Sequence, residues 1–260
     1  MAPFRHAEAG RDKPSAARAN RRAEVHTNAK DAARSAEPPL RRFKIVLPLL
    51  SFGAGAADAF AFMVLGGIFT ANMTGNALLG AMVTRADYWA TLAGAATALI
   101  SFVIALAVGF RITRGPAVVP GGSTVKALRL SAVFLAVVAL LWWFAPHARA
   151  THLCMIATSA MAMAFQTVAM KRDGVPHGAP TTFATGTLTD LVKEIVEGAA
   201  SWRSRRWLPL AALPLGAAVA AMTAQAWPDI TPLLPFAATV VALILIESPS
   251  APHVKPTPGR

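Results

Sequence analysis

The sequence predicts an all-α membrane protein with six transmembrane helices, arranged as two inverted three-span repeats that each carry a short re-entrant or broken helix. Three observations lead there. Hydrophobic residues fill 55% of the 260 positions against 15% charged, and mean hydropathy is +0.47, far from the balance of a water-soluble domain. Apolar stretches of span length recur along the chain, and the basic residues gather where those stretches end.

A crossing needs about 20 mostly apolar residues to pass a ~30 Å hydrocarbon core. The stretches 45–68, 89–110, 127–145, 151–170, 207–226 and 231–247 qualify, the last being short and interrupted by Pro232 and Pro235. The positive-inside rule fixes their number. With Arg41, Arg42 and Lys44 in the cytoplasm, six crossings keep Arg111, Arg114, Lys126, Arg129, Lys171, Arg172, Lys193, Arg203, Arg205, Arg206 and Lys255 inside. Only Arg85 and Arg149 then face outward. A further crossing at 70–84 would push the Arg111–Arg129 cluster outside, so both termini are expected in the cytoplasm.

Residues 1–40 are polar and lack the apolar core of a signal peptide, and Glu8, Asp12, Glu24, Asp31 and Glu37 argue against an organelle-targeting peptide. They read as a disordered basic cytoplasmic tail, followed by a transmembrane domain over 41–250 and a second disordered tail over 251–260. The net charge of +12 does not imply nucleic acid, because the basic residues mark span ends and form no stripe interleaved with aromatics. The lipid bilayer is the expected partner. Cys154 is the single cysteine, which excludes an intramolecular disulfide.

Two segments, 69–84 and 178–198, are helical in pattern but too short or too polar to span. "FTANMTGNALLG" aligns with "TTFATGTLTDLV", setting Thr74-Gly75-Asn76 over Thr185-Gly186-Thr187. Each follows an apolar helix with a lone polar residue, Asp58 in one and Gln166 in the other. Both residues lie ~20 Å along helices that run in opposite directions. The halves 41–145 and 146–250 therefore read as an inverted repeat, an organisation that recurs in secondary transporters with midplane sites.

"GAADAFAFMVLGGIFTANMTGNALLG" and "AMAFQTVAMKRDGVPHGAPTTFATGTLTDL" together resemble the YoaK family of bacterial membrane proteins, also described as DUF1275. The resemblance covers roughly 41–247. Family members often carry Asn after the Gln, where this chain has Thr167. The resemblance implies a six-span protein of the bacterial inner membrane and brings with it no settled activity.

Asp58 is the sharpest candidate for chemistry, since a carboxylate at membrane depth faces a cavity or a partner and marks ion or proton paths; its bland alternative is a carboxyl that fixes helix packing. Asn72, Thr74, Gly75 and Asn76, with Thr185, Gly186 and Thr187, offer helix N-termini whose free N–H groups attract anionic or carbonyl groups. The same residues also suit plain capping and close helix approach. Gln166 either donates to a solute or bridges helices. Asp190, Glu194 and Glu197 share one helix face that reads as solvated, with Asp190 near enough to Thr185-Gly186-Thr187 to line a vestibule. His147 and His152 lack the neighbours of a metal site, and Trp142, Trp143, Trp207 and Trp227 read as an aromatic belt.

No phosphate loop, nucleophile elbow or zinc-protease motif is present, so no enzyme, metal or cofactor is expected. The sequence points to a transporter or channel for a small solute or proton, with a non-transporting membrane scaffold as the rival. Pairs such as Gly94 with Ala98 and Gly216 with Ala220 permit helix association, within one chain or in a homo-oligomer.

Overall fold

A computed structural model describes residues 44–114, 122–172, 184–197 and 207–248. The tails assigned to 1–40 and 251–260, and the basic residues Arg203, Arg205 and Arg206, lie outside the described residues. Helices and their turns account for the described residues, with no strand among them. Six helices are long and apolar enough to cross a membrane: α1 (Lys44–Val64), α3 (Tyr88–Ile112), α4 (Gly122–Phe144), α5 (Arg149–Lys171), α7 (Leu208–Ala226) and, with the short 3-10 turn Pro228–Ile230 before it, α8 (Leu233–Glu247). Two short helices, α2 (Met73–Ala81) and α6 (Ala184–Val196), complete the order. Each half of the chain thus reads span, short helix, span, span.

The spans expected from hydropathy coincide with these helices to within five residues: α4 begins at Gly122 instead of 127, and α1 ends short of 68. There the chain leaves the helix at Val64 and turns through Gly66 and Gly67, at φ 109° and 77°. Both values lie in the region that side chains with a Cβ avoid, so only glycine turns the chain there without strain. The Gly67 N–H closes the turn on the Phe62 carbonyl at 2.9 Å.

Cross-links at the helix ends sort them onto two faces. On one face the Thr124 hydroxyl of α4 donates to the Ala169 carbonyl of α5 at 3.1 Å. Beside it Arg172, just past α5, donates to the Phe110 carbonyl and to Thr113 at the end of α3, at 2.7 and 3.1 Å. Arg129 of α4 pairs with Glu247 of α8 at 2.8 Å, and Val46 of α1 packs with Leu128 and Val168. On the opposite face Leu65, Trp142 and Met155 share a cluster, and Trp142 and Trp143 both donate to Asp229 in the turn before α8, at 3.3 and 2.9 Å. Lys44, Arg111, Arg114, Lys126, Arg129, Lys171 and Arg172 belong to the first face, and Arg85 and Arg149 to the second.

The first helix of each half is the more enclosed one. α5 is covered by α3 and α4, with every residue from Ala162 to Met170 buried. α1 crosses α7 at two glycines that face each other's backbone. A Cβ on Gly55 would run into the Leu213 carbonyl, and one on Gly216 into the Phe52 carbonyl. Helices in lipid gain little from apolar burial alone, and small residues that admit backbone contact supply the packing that holds them. The pairs noted in the sequence act inside the chain: Gly94 receives the Ile68 side chain, Gly216 the Phe52 backbone, and Ala98 and Ala220 are fully buried.

Candidate functional site

The polar string between α1 and α2 folds back on Asp58. One carboxylate oxygen of Asp58 accepts the backbone N–H groups of Thr70 and Ala71 at 2.7 and 2.6 Å. The Thr70 hydroxyl lies 3.5 Å from the same oxygen. Asn72 caps α2, its side-chain oxygen accepting from the Gly75 N–H at 3.0 Å. Asn76, only 1% exposed, grips Phe69 from both sides: its oxygen accepts the Phe69 N–H at 2.9 Å and its amide donates to the Phe69 carbonyl at 2.6 Å.

The side chains of Asp58, Asn72 and Asn76 satisfy backbone groups that a non-helical stretch at membrane depth would otherwise leave unpaired. Gly75 is small because a Cβ there would press on the Phe69 ring and the Asn72 amide, at 2.8 and 3.0 Å. Thr74 points to an exposed surface.

The second half is built differently. Gln166 on α5 is 1% exposed and donates through Nε2 to the Thr239 hydroxyl of α8 at 2.8 Å; Thr239 in turn donates to the Pro235 carbonyl. The Gln166 oxygen is buried without a hydrogen-bond partner. So is the hydroxyl of Ser131 on α4. Both residues lie in the stretch of the α4–α5 interface bounded by the Thr124–Ala169 bond and the Leu135–Met163 contact. Gln166 and Thr239, and by the register of α4 on α5 Ser131 at the same level, set a central layer of uncharged polar side chains in the bundle.

Thr185, Gly186, Thr187 and Asp190 sit on α6, which lies beside α7. Thr185, Gly186 and Asp190 are exposed, and nothing lies within 4 Å of a Cβ placed on Gly186. Asp58, Asn72, Gly75 and Asn76 are thus gathered in one hydrogen-bonded turn. Gln166 belongs to the central layer, and the two Thr-Gly turns do not meet in a common site. Trp142, His147 and His152 meet edge to face in series on the second face, the two histidine rings 6.3 Å apart, and no group of three metal-ligating side chains occurs among the described residues.

Ser131 and Thr239 were not legible as site residues. A lone hydroxyl in an apolar helix usually bonds its own backbone, as Thr97, Thr158 and Thr223 do here, and nothing in sequence distinguishes one that faces a buried amide.

Six spans, a folded-back polar turn and a central polar layer define a multi-pass helical membrane protein. The chain belongs to the DUF1275 family: the family model, described as a protein of unknown function, matches residues 46–246. It is 32% identical over 151 residues to the UPF0700 transmembrane protein YoaK of Bacillus subtilis (strain 168), an alignment covering 58% of this chain and 66% of that relative. The matched region therefore spans just under two thirds of the relative's length. No solved structure matches the chain.

Proposed function

We propose that this protein is a transporter or channel for a small polar solute, seated in a bacterial inner membrane with both termini in the cytoplasm. The observation that carries the reading is the pair of unpartnered atoms, Gln166 Oε1 and Ser131 Oγ, in the buried central layer. Leaving a buried polar atom unpaired costs about 1–3 kcal/mol, and such atoms in a folded protein ask for a reason. A passing solute that donates to the Gln166 oxygen and exchanges a hydrogen bond with Ser131 supplies one. The layer carries no charge, which favours a neutral solute.

The positive-inside rule assigns the first face to the cytoplasm, since it holds nearly all the basic span ends. The span order supports an inverted repeat, with Asp58 and Gln166 on α1 and α5, the leading helix of each half. On this reading the halves rock about the layer. α2 and α6 act as counterpart gates through Thr74-Gly75-Asn76 and Thr185-Gly186-Thr187, and Asp190 lines the cytoplasmic mouth. Asp58 is the group available to couple movement to a proton.

The test is flux into proteoliposomes, read by light scattering across a panel of small neutral solutes. At least one solute should enter faster with the native protein than with a folded Gln166→Leu variant, and uniform background flux across the panel would defeat the reading. Where uptake depends on pH, Asp58→Asn should remove that dependence; unchanged flux would take Asp58 out of the coupling role.

A second reading is favoured by the bonds of Asp58, Asn72 and Asn76, all of them spent on local backbone. In it the protein is a non-transporting scaffold whose polar residues only hold helices, and the central layer stays dry.

A further inference from the structure

α6 is the strongly amphipathic helix among the described residues. Leu188, Leu191, Val192, Ile195 and Val196 recur at three- and four-residue steps and form one apolar face, while Asp190, Lys193, Glu194 and Glu197 occupy the other. Unlike α2, which packs along α3, α6 leaves most of its apolar face uncovered. Leu188, Val192, Ile195 and Val196 are 37–80% exposed, and Leu191 is partly covered.

We propose that α6 lies along the membrane surface, with Leu188, Val192, Ile195 and Val196 set among the outer acyl chains and Asp190, Lys193 and Glu197 turned to water. Two observations select lipid as the occupant. The helix joins the end of α5 to the start of α7, which lie on the same face of the bundle, and its 13 residues extend only ~20 Å, too short to cross the core. Its neighbour α7 presents Leu215 and Met222 outward, at 58% and 72% exposure, so the uncovered strip continues a surface that already faces lipid. The polar face is acidic apart from Lys193, so apolar contact and not charge would hold the helix at the surface, with Lys171 and Arg172 at the end of α5 meeting the anionic headgroups.

α6 lies beside α7, which crosses α1 at Gly55 and Gly216. The placement itself does not depend on whether the protein transports anything.

The experiment uses the full chain with Cys154→Ser and single cysteines at 188, 192 and 195, compared with 190, 193 and 197. Each is nitroxide-labelled and reconstituted in vesicles of phosphatidylcholine and phosphatidylglycerol. Collisions with oxygen, which concentrates in acyl chains, should dominate at 188, 192 and 195; collisions with a water-soluble nickel chelate should dominate at 190, 193 and 197. Nickel access at all six positions would overturn the proposal. So would protection from both agents at 188, 192 and 195, which would place the strip against the bundle or a second copy of the chain. These side chains are exposed, so the substitutions remove no internal packing. Should Leu188→Cys fail to insert, Val192→Cys and Ile195→Cys carry the same test.

Discussion

The Asp58 carboxylate on α1 accepts the backbone N–H of Ala71 at 2.6 Å, thirteen residues further along the chain. That bond, with its twin to Thr70, fixes where the chain stops being a span and starts to turn back into α2. The polar string after the first apolar span is a set of partners for backbone groups left unpaired where the helix ends.

Removing the charge at Asp58 should loosen this turn. Asp58→Asn keeps an acceptor oxygen but loses charge assistance, and hydrogen bonds to charged groups are worth about 1.5–3 kcal/mol each against roughly 1 for neutral ones. Amide hydrogen exchange should rise at Thr70 and Ala71 in Asp58→Asn, and more so in Asp58→Ala, while the α4–α5 interface stays protected.

Asn76 should tolerate no replacement that loses its donor. In Asn76→Asp a carboxylate oxygen would face the Phe69 carbonyl now bonded at 2.6 Å, leaving that carbonyl unpaired beside a like partial charge, at a cost of about 1–3 kcal/mol or more. Thermal unfolding in detergent should show Asn76→Asp well below the native protein.

The α1–α7 crossing should fail with very small changes. Gly55→Ala or Gly216→Ala places a methyl group against a backbone carbonyl that has no rotamer to adopt, and overpacking of this kind costs about 1–3 kcal/mol, occasionally more. The double variant should be less destabilised than the sum of the two, because either one already separates the helices.

Two charged contacts at the basic face should differ sharply. Arg129 and Glu247 have side chains 62% and 37% exposed, so Glu247→Gln should change stability by less than about 1 kcal/mol. Arg172 holds the Phe110 carbonyl and Thr113 in a two-point fork and lies over the Phe110 ring at 5.3 Å. Arg172→Lys should cost more than Glu247→Gln, because a lysine cannot reproduce that geometry.

The spans and the turn into α2 were readable in sequence, because hydropathy and charge respond to the bilayer and the Asp, Asn and Gly residues sit close together in the chain. Gln166 was also visible, as a lone amide in an apolar helix. Its setting was not. Thr239 lies 73 residues away, and Ser131 reaches the same layer only through the register of α4 on α5. The uncovered face of α6 was likewise hidden, since its pattern fits a helix that packs as α2 does; how little of that face is covered appears only in the structure.

Transport requires the central layer to be reachable by solvent at some stage of a cycle. The most direct measurement is modification of Ser131→Cys and Thr239→Cys, each in a Cys154→Ser background, by a membrane-impermeant methanethiosulfonate applied from either side of intact vesicles. A transporting protein should react from at least one side, at a rate that a transported solute changes. Complete resistance from both sides, in protein that labels fully once denatured, would contradict transport and leave the layer as helix packing alone.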